Sequence, residues 1–519
     1  MKNIYFILFL LIIFSLYTGC SRDNQTKSVS QKQQDIDTAF PEAKLREAIT
    51  ANLNKLPKNL TLNDYTKLTE LDISHLDLSD IEPLAKLTNL QSLDLSYMPI
   101  SDIAPLAGLR NLKSLNLYRT QVSNVEPLAK LTDLQTLRLE DTKVADVKPL
   151  KGLINLLELR LNTTLVSDIT PLSGLKNLRI LFLNNSPVKN IESLAGLENL
   201  YELRLASTPV IDIGPLEKMK NLRELWLSRQ QNIDIKQISK LKNLTGLYLS
   251  NTQIRDIESL VALTNLQSLD LFQVPVGNIK SLAALKDLRS LNLSNTHIIN
   301  IETLAGLTKL QKLNFGNTNV SNIEPLSDLT NLQSLYLART QVSDISALTK
   351  LTNLQRLDFG NTNVSNIEPL AALTNLQWLV LRSTKVSNIS ALTKLTNLQF
   401  LALAYTQVSD ISSLRRLTNL ERLLLQATHV NDIQPLAELT NLQELSLSFT
   451  QVSDIMPLAE LKNLQTLRLE GTSVTDFGPL EELANLQKLY LGGTKVTDEQ
   501  IAYLKTTLPS LVIYRNHLL

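Results

Sequence analysis

Residues Asn331–Thr352 read NLQSLYLARTQVSDISALTKLT, and this string decides the fold because the chain repeats it. With Asn331 taken as offset 0, equivalent strings begin at Lys67, Asn89, Asn111, Asp133, Asn155 and so on to Asn485, twenty units spaced 22 residues apart without an insertion. Offset 4 is leucine in all twenty, from Leu71 to Leu489, and offsets 1, 6, 11, 14, 17 and 20 are usually Leu, Ile, Val or Phe. The alternation about offsets 4 and 6 predicts a short, half-buried strand. The stretch from offset 14 to 20, often I-x-P-L-x-x-L, holds no more than a turn or two of helix, which favours 3₁₀ geometry. One such unit cannot bury its own apolar face. Successive units must therefore stack, with their strands side by side in one parallel sheet.

Two polar ladders run through the repeat. Offset 13 is Asp or Asn in every unit, from Asp80 to Asp498, and seven of the twenty are Asn. A row of carboxylates could suggest calcium, but a short acceptor that caps the following turn explains Asp and Asn equally well. Offset 9 is Thr in fifteen units, from Thr120 to Thr494. Its hydroxyl can donate to and accept from the turn backbone, which predicts a hydrogen-bonded ladder at that position.

Outward from the repeats, residues 40–55, FPEAKLREAITANLNK, carry Leu45, Ile49 and Leu53 at four-residue spacing, one face of a helix with Pro41 in its first turn. A helix there would cover the first repeat's exposed core. At the other end, Glu499–Thr506 reads as a helix and Leu511–Tyr514 as a final strand. Residues 21–35, SRDNQTKSVSQKQQD, are polar and read as a flexible tether. Ahead of them Lys2 precedes an apolar run, Ile4–Leu16, that is short of the roughly 20 residues needed to span a bilayer. The expected organisation is a signal peptide over 1–19, Cys20 and the tether over 20–35, a helical cap over 36–66, the repeats over 67–506 and a closing segment over 507–519.

The 22-residue pattern over residues 67–506 resembles the leucine-rich-repeat family, in particular the short class of internalin-like bacterial surface proteins. The resemblance implies an α/β solenoid, a horseshoe or arc with a concave parallel β-sheet, a convex side of short 3₁₀ turns and an N-terminal helical cap. The immunoglobulin-like segment and C-terminal wall anchor common in that family have no counterpart here, so attachment is expected at the N-terminus. There, Leu16-Tyr17-Thr18-Gly19-Cys20 resembles the lipobox of bacterial lipoproteins, although Tyr17 stands where leucine is usual. That likeness implies lipidation of Cys20 and anchoring in a bacterial envelope, at the outer membrane or cell surface where there are two membranes.

Composition narrows the chemistry. The chain has 51 basic and 50 acidic residues, a formal charge of +1, so nothing concentrates the basic footprint that nucleic acid needs. Cys20 is the single cysteine, which excludes an internal disulfide framework and a cysteine nucleophile in the repeats. The fifteen glycines form no phosphate-binding loop, and the four histidines, His75, His297, His429 and His517, are scattered. No enzyme, cofactor or metal site is expected, and the chain is read as a monomer.

A binding protein remains. Offsets 3, 5 and 7 should face outward from the sheet with offset 8 beside them, and they hold twelve of the eighteen aromatic residues from Lys67 onward. Two clusters stand out. The first is Ile180, Phe182, Arg204, Trp226, Arg229, Tyr248 and Phe272. The second is Trp378, Val380, Arg382, Phe400, Tyr405, Arg422, Leu424 and Phe449. Strand propensity alone favours aromatics on a sheet, but Trp, Tyr and Arg are also the residues enriched at binding hot spots. The breaks Gln230-Gln231-Asn232 and Val274-Pro275 adjoin the first cluster, and local irregularity often accompanies function. The expectation is a protein ligand on the concave face, with an adhesin or host-interaction role. The alternatives are an envelope scaffold for a partner of the same cell and a glycan-binding module.

Overall fold

A computed structural model of the chain describes residues 33–53 and 61–515, so Cys20, the signal segment and most of the expected tether lie outside the described residues. The chain divides into two compact units, Met1–Leu165 and Val166–Leu519.

In the first unit the cap comes from more residues than its helix-forming pattern suggests. Residues 33–39 are already helical, with Ile36 and Ala39 buried, so the described end of the expected tether belongs to the cap. The main helix is Ala43–Asn52, with Glu42 as its N-cap, which places Pro41 before the helix and not in its first turn. Leu45 and Ile49 are buried as their spacing requires, and Phe40 stacks on Tyr65 at 5.1 Å. A short helix, Leu62–Thr66, leads into the repeats, its start fixed by Asp64 accepting the Thr61 N–H at 2.9 Å. Five three-residue strands follow among the described residues, from Glu70–Asp72 to Glu158–Arg160. They pair in parallel and in register, Leu71 beside Leu93, Leu115 beside Leu137, Leu137 beside Leu159.

The second unit continues the scheme with sixteen strands among the described residues, from Ile180–Phe182 to Val512–Tyr514. From Leu181 to Leu489 each strand's central leucine is buried while its neighbours point outward, as for Glu202-Leu203-Arg204 and Trp378-Leu379-Val380; the last strand centres on the half-buried Ile513. Each buried leucine contributes roughly 2 kcal/mol. Opposite the strands lie the short 3₁₀ turns, such as Glu368–Ala372 and Ser390–Lys394. The offset-13 ladder holds them: Asn322 Oδ1 accepts the Glu324 N–H at 2.9 Å and Asp344 Oδ1 accepts the Ser346 N–H at 2.8 Å. Asn and Asp act alike because only one oxygen is used. The anchor asparagines join units, Asn375 Nδ2 donating to Thr352 O and Asn397 Nδ2 to Thr374 O, each at 2.9 Å. The Thr ladder is more local. Thr384 Oγ1 donates to Leu381 O at 2.7 Å inside its own unit and bridges no neighbours.

One unit departs from this frame. After Gln230-Gln231-Asn232 the 3₁₀ turn is replaced by a short α-helix, Ile235–Ile238, started by Asp234. Gln230 replaces the usual Thr and reaches into the preceding unit, Nε2 donating to Leu205 O at 2.7 Å and to Thr208 Oγ1 at 2.9 Å. At the far end Thr497 and Gln500 form a capping box for the helix Asp498–Thr507, and the last strand pairs Leu489 with Ile513.

Every unit also contains one left-handed residue, at offset 8. Eighteen are not glycine, among them Thr163 at φ 54°, Arg229 at 60°, Tyr405 at 59° and Phe449 at 58°; Gly471 and Gly493 complete the set. The turn off the strand imposes this geometry so that the offset-8 N–H reaches the next unit, as Tyr405 N–H does to Gln426 O at 2.9 Å. Left-handed backbone costs an L-residue roughly 1 kcal/mol.

Candidate ligand-binding face

The parallel register places equal offsets of neighbouring units side by side, about 4.8 Å apart. In the second unit, Phe182, Arg204, Trp226 and Tyr248 occupy offset 5 of four successive strands. Their side chains close that spacing by stacking. The Arg204 guanidinium lies 4.1 Å from the Phe182 ring and 4.3 Å from Trp226, and Trp226 lies 3.6 Å from Tyr248 with 12° between the planes. The result is one continuous ladder, with a cation between its first two rings and direct stacking between its last two. Its cost to the expectation of solvent-facing rings is plain: Phe182 is only 5% exposed and Trp226 and Tyr248 are half-buried, because each ring covers the next.

Acidic residues lock this ladder from the offset-3 row. Glu202 pairs with Arg204 at 2.6 Å. Glu224 stands opposite Gly246, where a Cβ would fall 1.8 Å from Glu224 Oε2, so the glycine makes the niche that the carboxylate occupies. There Glu224 accepts from Thr245 Oγ1 at 3.2 Å and shares a hydrogen bond with the Tyr248 hydroxyl. Burial pushes the Glu224 carboxyl above its ordinary value. Burial, reinforced by Glu224, lifts the Tyr248 phenol to about 12. Sequence reasoning missed Glu202, Glu224 and Gly246, although each lies at offset 3 beside a ladder member.

The structure does not unite the whole first cluster. Ile180 sits beside Glu202 at the ladder's edge. Phe272, at offset 7, makes no ring contact among the described residues. Arg229 is exposed and lines a cleft with Ser207, Pro209, Ile211, Gln231 and Asn232, next to the irregular unit.

The second cluster is built on a different row. Trp378 and Phe400, at offset 3, stack at 3.7 Å and 12°. Arg422 follows, 5.3 Å from the Phe400 ring, and is held by Glu444 at 2.8 Å. Phe400 is 7% exposed, again covered by its neighbours and not projecting as expected. Because the stack keeps to offset 3, offset 5 carries only Val380, Ala402 and Leu424, with the buried Ala404 beyond them. Tyr405 and Phe449 stand on the other side at offset 8, 54% and 56% exposed. Gly471 makes room for the Phe449 ring, whose Cδ1 would lie 2.5 Å from a Cβ there. Arg382 is exposed, and its stem runs over Gly360, 3.0 Å from where a Cβ would stand. The cluster is a shallow apolar trough between an aromatic wall and two exposed rings.

The first unit holds an aromatic cluster that spacing alone did not reveal. His75 stacks on Tyr97 at 4.2 Å, Tyr97 meets Tyr118 edge-on at 5.1 Å, and Arg119 lies 5.6 and 5.7 Å from the two tyrosine rings. Their hydrogen bond raises the Tyr118 phenol. Tyr97 and Tyr118 occupy offsets 8 and 7, so a search along one row misses their contact. Beside them Glu140 is buried between Arg138 at 3.5 Å and Arg160 at 3.9 Å, and burial raises its carboxyl despite both cations. Among the described residues, no three His, Cys, Asp or Glu side chains gather where they could hold a metal ion.

Comparison with known proteins agrees with this architecture. The leucine-rich repeats (2 copies) family matches residues 66–108, 110–152, 242–287, 286–328, 330–372 and 374–416. An internalin of Listeria monocytogenes is 26% identical over 83% of this chain and 96% of its own, with a TM-score of 0.33. Internalin C2 of the same species is 36% identical over 36% of this chain and 83% of its own, with a TM-score of 0.36. TLR13, solved as a complex with ssRNA13, shares the fold at 23% identity over 87% of this chain and 81% of its own, with a TM-score of 0.54. No curated protein matches the chain. Twenty in-register units, parallel ladders of three-residue strands and these family matches make the chain a member of the leucine-rich-repeat proteins.

Proposed function

We propose that the sheet face of the second unit binds a protein ligand, and that a lipid on Cys20 holds the protein at a bacterial cell envelope. The observation that carries the first part is the pair of stacked ladders, Phe182–Arg204–Trp226–Tyr248 and Trp378–Phe400–Arg422. Rings fixed by stacking lose little freedom when a partner arrives, which favours aromatic and arginine anchors at interfaces. The same stacking weighs against a glycan ligand. Trp226 has Arg204 on one face and Tyr248 on the other, so no free face is left for a sugar ring. Nucleic acid is disfavoured because the ladder's arginines are already tied to Glu202 and Glu444.

An adhesin or host-interaction role and a scaffold for a partner of the same cell both fit this surface. Residues 21–519 used as bait against host and bacterial extracts separate them. Trp226→Ala or Trp378→Ala should weaken retention of the true ligand by roughly 2 kcal/mol or more. A ligand retained equally by both variants would rule out the ladders as its site. For the anchor, labelling with a palmitate analogue should mark the wild type and not Cys20→Ala. Equal labelling of the two would sink the lipoprotein reading.

A further inference from the structure

We propose that the trough over Val380, Ala402 and Leu424 receives an acidic segment of the ligand, seating its bulky apolar side chains beneath a rim of arginines. This inference rests on the sheet face being a protein-binding surface and names the ligand's chemistry at one place on it.

The floor supplies the apolar half of the case. Ala402 and Ala404 are buried at offsets 5 and 7, where other units carry side chains as large as Arg204, Trp226 or Glu140. Val380 and Leu424 flank them on neighbouring strands, so the floor spans two strand steps, about 10 Å. Alternate side chains of an extended segment lie about 7 Å apart, so two of them fit that length. The Trp378–Phe400 stack and Tyr405 supply the walls.

The rim supplies the charge. Arg339, Arg356, Arg382 and Lys385 are exposed around the Trp378 end, and among the described residues none of them forms an ion pair. The outward positions of the five units from Asn331 to Thr440 otherwise hold Arg422, paired with Glu444, and two acids, Asp358 and Glu421. Asp358 is withdrawn, its Oδ1 accepting the Gly360 N–H at 2.9 Å. Arg382 attracts the withdrawn Asp358 carboxylate, and the surface as a whole is left with an excess of cations, complementary to an acidic ligand.

A duplication inside the chain points to the same residues. Residues 309–352 and 353–396 share thirty-three of forty-four positions. Seven of the eleven differences fall at offsets 3, 5, 7, 8 and 10, although these are five of every 22 positions. Ser334, Tyr336, Ala338 and Gln341 of the first block correspond to Trp378, Val380, Arg382 and Lys385 of the second. The apolar core positions are the same in both blocks, while the second carries Trp378 of the wall, Val380 of the floor and Arg382 and Lys385 of the rim.

Ten-residue peptides of alternating Leu and Glu, Leu and Lys, or Ser and Glu test the inference on the full chain. Trp226→Phe leaves Trp378 as the single tryptophan, a reporter inside the trough. The Leu/Glu peptide should bind and shift Trp378 emission to shorter wavelength, more than tenfold tighter than Ser/Glu (roughly, for two seated leucines). Leu/Lys should not bind. Arg356→Gln with Arg382→Gln should weaken Leu/Glu binding by about tenfold, and added salt should act in the same direction. In Trp378→Phe, where Trp226 reports, the same titration should leave emission unchanged. Melting curves of the variants confirm that each is folded. Binding of Leu/Lys as tight as Leu/Glu, or indifference to the arginine pair, overturns the inference. So does the absence of any Trp378 response to all three peptides, and that result leaves the sheet-face reading to stand or fall with its own retention assay.

Discussion

The two aromatic clusters of the second unit use the same residue types and differ by one outward position, two residues along the strand. In the first, the stack occupies offset 5, the middle of the outward positions 3, 5 and 7; Arg204 is matched by Glu202 and Tyr248 by Glu224, while the buried Trp226 Nε1 has no hydrogen-bond partner among the described residues. In the second, the stack occupies offset 3, offset 5 holds Val380, Ala402 and Leu424, and neither Arg356 nor Arg382 forms an ion pair among the described residues, although Arg382 attracts the withdrawn Asp358. A stack in the middle row fills the face. A stack at the margin becomes a wall with an open floor beside it. Position within a three-residue strand therefore decides whether aromatic residues close a surface or shape a site.

Four measurements break or sharpen that contrast. The largest effect should be the one the clusters share. Leu225→Ala beneath the first and Leu379→Ala beneath the second should each cost about 2–5 kcal/mol in denaturant unfolding, because both empty the same core position. The tryptophans above them should differ. Trp226 contacts Arg204 and Tyr248 on its two faces, whereas Trp378 stacks on Phe400 alone, so Trp226→Ala should cost roughly 2 kcal/mol and Trp378→Ala about half of that. Equal costs would mean that the ladder geometry does not set stability.

The third concerns the acid niche. Gly246→Ala puts a Cβ where the Glu224 carboxylate sits, so the carboxylate must leave and the Tyr248 phenol should fall from about 12 toward its ordinary value in a spectrophotometric titration. The linkage has a definite sign. Glu224 takes up its proton at higher pH when folded than when unfolded, so as pH falls through its raised folded value the native state gains stability, complete below the unfolded value. Glu224→Gln should remove that gain, stabilising most at neutral pH and least in acid. The smallest effect separates stability from recognition at the second cluster. Tyr405→Asn relieves left-handed backbone at φ 59° and should add about 0.5 kcal/mol to stability while removing one side of the trough and weakening the ligand.

The repeat made most of the fold legible. Leucine at offset 4 located the strand of every repeat, the Asp/Asn ladder located every 3₁₀ turn, and Leu45 and Ile49 identified the capping helix. What escaped was set by contacts between units. Phe182 and Phe400 read as exposed because each strand, taken alone, points them outward; the ring of the next strand buries them. That stacking is visible only when the sequence is read at a stride of 22, down the column Phe182, Arg204, Trp226, Tyr248. Glu224 was missed because its niche depends on the absent side chain of Gly246. The Tyr97–Tyr118 contact was missed because it runs diagonally between columns.

The twin blocks 309–352 and 353–396 give the gene a means of changing the protein in whole steps. Unequal exchange between such similar stretches would delete or add two complete units, joining Thr308 to Asn353 across a Thr-Asn junction of the kind already present at Thr330-Asn331 and Thr352-Asn353. The offset-4 leucines, the turn caps and the anchor asparagines would all meet equivalents of their present neighbours. Both clusters would survive intact, and a deletion would bring them closer by two strand steps, about 10 Å. The spacing of the two clusters is thus a heritable length, adjustable in fixed increments by recombination without asking the core to be solved again.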